Sequence, residues 1–275
     1  MQICQRLLRL VLPVLVLPVL ALTTGTAQAQ HPSEAAIIAA GGCPGCDLRD
    51  TSFRNLTIEA ADFTGANLRE ADLKNASLPG VRLGNADLRR AEMERLYAPG
   101  AQLQGAKLRG ADLEKAMMPG ADFTGADIRD ADIASAELSG AILKDADLRG
   151  ALMRRAELSG ADMTGIRADG IDLERAVLTG AKLADAILKD ADMDRAQAVG
   201  ADLRGADLTG ARLSSADLTG ADLRGANLDD ALLRRTDLSG ADLRDVRGLT
   251  QARLAMACGD GATKLPSDMR IDLCD

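Results

Sequence analysis

An apolar residue recurs at every fifth position of this chain. The centres run Leu48, Phe53, Ile58, Phe63, Leu68 and onward without a slip to Leu243, forty in all. They are Leu, Ile, Met or Phe except at Ala98, Ala168 and Ala198. The residue two before each centre is nearly always Ala, the one just before it is usually an acid or amide, and two small or polar residues follow, as in ADLTGADLRGANL at 216–228. On an α-helix five residues advance 140° net, which scatters the centres around the cylinder. On a straight strand successive centres alternate faces. Every centre points inward only if the chain turns a corner in each repeat and coils around an axis.

A longer period sits on the short one. The second residue after the centre, read at 60, 80 and onward to 240, is Ala once and then Gly nine times. Read at 55, 75 and onward to 235, it is never Gly: Asn, Asn, Arg, Lys, Ser, Arg, Arg, Arg, Ser, Arg. The pattern predicts twenty residues per coil with four chemically distinct corners. Pro79, Pro99 and Pro119 precede glycines of the all-Gly corner, as a type II turn favours, with its positive φ at the second central residue. At Leu96/Ala98 and Ile166/Ala168 the large and small inward residues trade places, which conserves volume. Ala196/Ala198 has no such compensation and predicts a small void or a pinch.

The tandem A-(D/N)-L-x-x pattern, covering about 200 of the 275 residues, resembles the pentapeptide-repeat proteins. That resemblance implies an all-β fold, a right-handed quadrilateral β-helix with four pentapeptides per coil. Forty repeats then make about ten coils, a rod about 48 Å long at the spacing of stacked strands. Terminal coils cannot bury their own ends and need caps. Before the repeats, SEAAIIAAGG reads as a short helix with Ser33 as N-cap and Gly41 and Gly42 as its stop. After them, Gly248 breaks the pattern and a helix is expected from about Gln251 to Ala257, with Thr250 as N-cap. Leu249, Leu254 and Met256 would close the last coil, and 259–275 would be an irregular tail. The expected organisation is therefore 1–29 signal peptide, 30–45 N-terminal cap, 46–245 β-helix and 246–275 C-terminal helix and tail.

The first 29 residues carry Arg6 and Arg9, an apolar run from Leu10 to Leu22 and the A-x-A sequence Ala27-Gln28-Ala29. This order reads as an export signal with cleavage expected after Ala29, its apolar run too short to span a bilayer comfortably; the alternative is an uncleaved membrane anchor. The mature chain is then expected to be periplasmic or secreted, and its sequence contains no further apolar segment of membrane-spanning length. Its loss of two arginines takes the net charge from −8 to −10, which opposes nonspecific nucleic-acid binding. Aromatics are 1%, so the core is built from Leu and Ala.

Four cysteines remain in the mature chain. A disulfide needs Cα atoms within about 7 Å, and the rod separates the two ends, so Cys43 pairs with Cys46 and Cys258 with Cys274. C-x-x-C at 43–46 also admits metal-binding thiols or a redox site. Zinc would need further ligands, with His31 the one nearby candidate, and the thioredoxin-like context is missing. The same lone His31 supports no nucleophilic triad, and the abundant Asp follow from the repeat. The sequence points to no catalytic residues, no metal and no cofactor, hence to no enzyme.

Two outward stripes stand out. Arg49, Arg69, Arg89, Arg109, Arg129 and Arg149 recur every twenty residues beside Asp47, Asn67, Asp87, Lys107, Asp127 and Asp147. They form either a salt-bridged solvated face or a basic ladder for an anionic envelope polymer. Tyr97, Pro99, Met117 and Pro119 lie on adjacent coils as a candidate contact patch for a protein or second subunit, against a background of scattered exposed apolar residues. The favoured function is an exported, non-enzymatic scaffold presenting rigid faces to a protein or envelope polymer. The resemblance implies an alternative, a DNA-mimicking gyrase-binding protein of the quinolone-resistance type. The export signal and the uninterrupted repeats, without the loops such relatives insert, argue against it.

Overall fold

The computed structural model describes residues 33–274; the signal segment and His31 lie outside the described residues. The period of five has a local cause. Each unit is three extended residues, inward, outward, inward, followed by a two-residue turn. The outward residue makes a parallel bridge to the residue twenty further on, at every fifth position from Gly42↔Asp62 to Asn227↔Arg247. The centre donates its N–H to the neighbouring turn of the solenoid, as from Leu148 N to Arg167 O at 2.6 Å, and the outward residue donates back the other way, from Asp147 N to Ala126 O at 3.0 Å. Four bridge-and-turn units therefore make one lap, and the unit is a repeat solenoid.

The inward positions form one continuous core. The centres and the preceding alanines are buried along the whole length, and the inverted pairs Leu96/Ala98 and Ile166/Ala168 are buried like the rest. Ala196 and Ala198 are likewise buried. Thr236 stands at an inward Ala position, fully buried, and its hydroxyl donates to Leu213 O at 2.8 Å, so this polar intruder is satisfied. Near the N-terminal end Phe53 and Phe63 meet edge to face, with ring centroids 5.4 Å apart.

The corners differ from the sequence expectation. Positive φ is not confined to the glycine corner. Every second turn residue from Gly45 to Asp245 has it, between +48° at Ala60 and +70° at Gly225, whatever its side chain. The turn closes with the centre's C=O accepting the N–H three residues on, as in Ala66 N to Phe63 O at 2.9 Å. A left-handed residue with a Cβ costs about 1–2 kcal/mol, and the solenoid bears this at Arg95, Lys115 and Arg155 among others. At Gly140 (φ 65°) an added Cβ would meet nothing within 4 Å. Gly140→Ala should thus cost the conformational strain alone, about 1 kcal/mol, read as a lower midpoint of denaturant unfolding with an unchanged slope.

At the N-terminal end, helix α1 (Glu34–Ala40) starts at Ser33, whose side chain accepts from Ala36 N, and stops at left-handed Gly41. Ile37 is buried in the core. The bridge ladder begins five residues before the leucine-centred pattern does. Gly42 makes the first bridge with φ 132°, and a Cβ there would fall 2.2 Å from Asp62 O. Cys43 then occupies a centre and Cys46 the inward Ala position, both packed against the core.

The C-terminal expectations need correction. Helix α2 spans Gln251–Leu254, not to Ala257, with Thr250 accepting from Arg253 N. It stops early because the chain must come alongside the last turn, where Asp237 pairs with Cys258 and Asp242 with Lys264. Leu249 and Leu254 are buried, but Met256 lies beyond the helix and is 45% exposed. The tail is not irregular throughout. Strand β1 (Cys258–Gly259) pairs in parallel with β2 (Asp272–Leu273). Arg253 clamps α2 onto the ladder, donating to Gly248 O at 2.8 Å and pairing with Asp230 at 2.5 Å.

Candidate interaction faces

The frequent Asp just before the centre has a local role that the pattern alone did not reveal. Its carboxylate accepts the N–H of the first turn residue, as Asp112 does from Glu114 N at 3.0 Å and Asp217 from Thr219 N at 3.0 Å. Asp, Asn, Glu and Ser can all tie off the turn this way. When the first turn residue is Arg, the same carboxylate also receives its guanidinium in a two-bond fork.

That fork decides the basic ladder. Arg49, Arg89, Arg129 and Arg149 each grip the Asp of their own unit, with Nε at 2.7–2.8 Å from Asp47, Asp87, Asp127 and Asp147. The two ladder members without such an acid behave differently. Arg109 stands beside Lys107 and reaches the next turn's Asp130 at 3.0 Å. Arg69 stands beside Asn67, and its buried Nε has no hydrogen-bond partner. Arg69, Arg89, Arg90 and Arg109 line a shallow depression of about 420 Å³ with Gly110 and Asp130.

The forks also set the titration of the faces. Hydrogen bonds from the arginine two residues on, against an opposing cost of burial, hold Asp87, Asp127, Asp147, Asp202, Asp222 and Asp242 below the usual carboxylate range. Asp62, bonded across the turns by Arg82 and locally by Thr64, is lowered to about 2. Burial, aided by the Glu94 carboxylate, pushes Asp112 the other way. Folded-state values below the unfolded value of about 3.9 stabilise the fold above that pH and lose this contribution as pH falls through the folded values. The melting temperature should therefore be flat from pH 7 to about 5 and fall steeply between about pH 4 and 2. Salt should blunt the effect, because the pairs are exposed.

Tyr97 and Met117 are bridge partners on adjacent turns and point outward, 43% and 49% exposed. Pro99 and Pro119, half-buried, occupy the turns that follow, and Gly100 N donates to Pro119 O at 2.9 Å. The patch therefore sits on a corner whose backbone is fully engaged.

The cysteines pair locally. Cys43 is bonded to Cys46 with Cα atoms 5.6 Å apart, and Cys258 to Cys274 with Cα atoms 4.8 Å apart. Asp237 approaches the second pair, but both sulfurs are consumed by the disulfide and offer no thiolate to a metal. Among the described residues no helix is long and apolar enough to cross a membrane.

A family model of pentapeptide repeats matches residues 43–69, 66–96, 100–133, 131–167, 171–210 and 211–247. Its two gaps fall on Ala98 and Ala168, the inverted pairs. No curated protein matches the sequence. Among solved structures the chain is similar to HetL, a pentapeptide repeat protein involved in heterocyst differentiation regulation from the cyanobacterium Nostoc. The two are 32% identical over 79% of this chain and 93% of HetL, with a TM-score of 0.45. It is similar to QnrB1, a plasmid-mediated fluoroquinolone resistance protein, at 20% identity over 67% of this chain and 91% of that one, TM-score 0.44. A pentapeptide repeat protein of the Arabidopsis thaliana thylakoid lumen is 29% identical over 46% of this chain and 66% of its own, TM-score 0.24.

Proposed function

The chain belongs to the pentapeptide-repeat family, and from that premise we propose that it is an exported, non-enzymatic scaffold that presents rigid faces to a protein partner. Its solenoid is a right-handed, four-sided β-helix of about ten coils, closed by α1 at one end and by α2 with the disulfide-pinned tail at the other. Export follows from the basic, apolar and A-x-A order of residues 1–29, with cleavage after Ala29 into the periplasm or medium. Two local disulfides suit that oxidising destination.

The observation that carries the partner is the Tyr97–Met117 pair. Two large apolar side chains stand out on adjacent turns of a ladder that leaves its backbone no freedom to bury them. The ladder Arg49 to Arg149 supports an anionic polymer less well, because four of its six guanidinium groups are spent on their own aspartates. The same forks weaken the gyrase-binding alternative, since the acids that would imitate duplex charge are partly neutralised.

A photo-crosslinking residue at position 97, used in intact cells, should give a discrete adduct that Met117→Glu removes without changing the melting temperature. An adduct insensitive to Met117→Glu contradicts the patch. N-terminal sequencing of the same protein should begin at Gln30 outside the cytoplasm; a cytoplasmic chain beginning at Met1 contradicts export.

A further inference from the structure

The corner read at 55 to 235 is the one that never uses glycine, although its backbone is left-handed throughout. Its six cations, from Arg95 to Arg235, hold φ between 54° and 59°. The corner that is glycine at nine of its ten positions shows that this strain is avoidable, so the cations sit here despite it.

The cationic column is broken twice, each time by serine, and each serine is followed one turn later by an arginine pair. Ser135 precedes Arg154-Arg155, and Ser215 precedes Arg234-Arg235. Both breaks are depressions. The one at Ser214 and Ser215, about 470 Å³, is lined by Arg195, Arg212, Arg234 and Arg235 together with Glu174 and Asp194. The one at Ser135, about 320 Å³, is lined by Arg154, Arg155 and Arg175 together with Glu114 and Glu174.

The larger notch has its acids already occupied. Asp194 takes Arg212 at 2.5 Å and Ser214 N at 2.9 Å. Glu174 is shared by Arg175 at 3.5 Å and Arg195 at 3.6 Å. Among the described residues neither Arg234 nor Arg235 has a carboxylate within ion-pair distance, and the hydroxyls of Ser214 and Ser215 have no protein partner. Arg195 and Arg235 flank Ser215 one turn to each side, about 10 Å apart at the strand spacing. That span is wide enough for one tetrahedral oxyanion, with the uncommitted Arg234 and Arg235 and the Ser214 and Ser215 hydroxyls as its donors and Arg195, shared with Glu174, on its far side.

We propose that the Ser214–Ser215 notch binds a phosphate-type oxyanion, free or carried on a linear polyanion running along this corner. The site shares no residue with the Tyr97–Met117 patch, and either can fail without the other.

The test is titration of the purified protein at low salt with inorganic phosphate and, separately, with long-chain polyphosphate. Binding is read by calorimetry and by amide chemical shifts. The site variant is Arg234→Ser/Arg235→Ser; serine already occupies the left-handed position equivalent to 235 at 135 and 215, and the turn position equivalent to 234 at 214. The charge-matched control is Arg89→Ser/Arg129→Ser. Phosphate should shift the Ser214 and Ser215 amides of the wild type. The site variant should bind polyphosphate at least tenfold more weakly than the control does. Phosphate shifts without any affinity gain for polyphosphate assign the site to the free anion, and a gain assigns it to the polymer. Unmoved Ser214 and Ser215 amides, or equal weakening by both variants, overturn the proposal, and the wild-type shifts decide it even where a variant does not fold.

Discussion

Leu148→Asp is expected to abolish cooperative folding of the solenoid. Leu148 is a fully buried centre near mid-length, bonded through its N–H to the next turn. Truncation to Ala there already costs about 2–5 kcal/mol, because stacked turns on both sides limit collapse into the void. A carboxylate at the same point has no cation or donor inside a column of Leu and Ala, so it must either protonate or drag water in. Losses above about 4 kcal/mol are confined to such cases. The neighbouring substitution supplies the contrast. Asp147→Leu changes an outward residue one position earlier and should cost little, mainly the fork with Arg149. Chemical denaturation of the two variants checks this. Similar midpoints for both would mean that inward and outward positions have been assigned wrongly.

The second large effect is at the C-terminal end. Cys258 and Cys274 enclose a loop whose closure is worth about 3 kcal/mol on the chain-entropy model. More than entropy rides on it, since β1 forms a bridge to Asp237 and pairs with β2. Cys258→Ser/Cys274→Ser should therefore release β2 and expose the last turn. In a solenoid, stability is a sum over neighbouring turns and loss spreads inward from an uncapped end. Hydrogen exchange should show protection lost first around Leu238 and Leu243 and retained near Leu148. Loss spread evenly along the chain would contradict a local pin.

What could be read in the sequence was what side chains encode directly. The inward spacing, the inverted pairs at 98 and 168, and α1 between Ser33 and Gly41 are all matters of residue type at a position. What could not be read was backbone conformation hidden under ordinary side chains. Arg155 or Asp230 gives no sign of left-handed φ, because the stack of neighbouring turns imposes it. The ladder arginines looked uniform, yet Asn67 and Lys107 separate Arg69 and Arg109 from the four that fork an aspartate. Cys43 was hidden as a centre because cysteine does not look like leucine in a count of apolar positions. The shortness of α2 follows from the demand that Cys258 reach Asp237, a constraint twenty-one residues distant.

Each lap of the solenoid takes twenty residues and rises by one strand spacing. Spin labels at positions 97 and 177, four laps apart, and at 97 and 217, six laps apart, measure it by electron–electron dipolar spectroscopy. Mean separations of about 19 Å and about 29 Å are expected, in the ratio of two to three. Distances that do not grow linearly with the number of twenty-residue steps would contradict the twenty-residue lap.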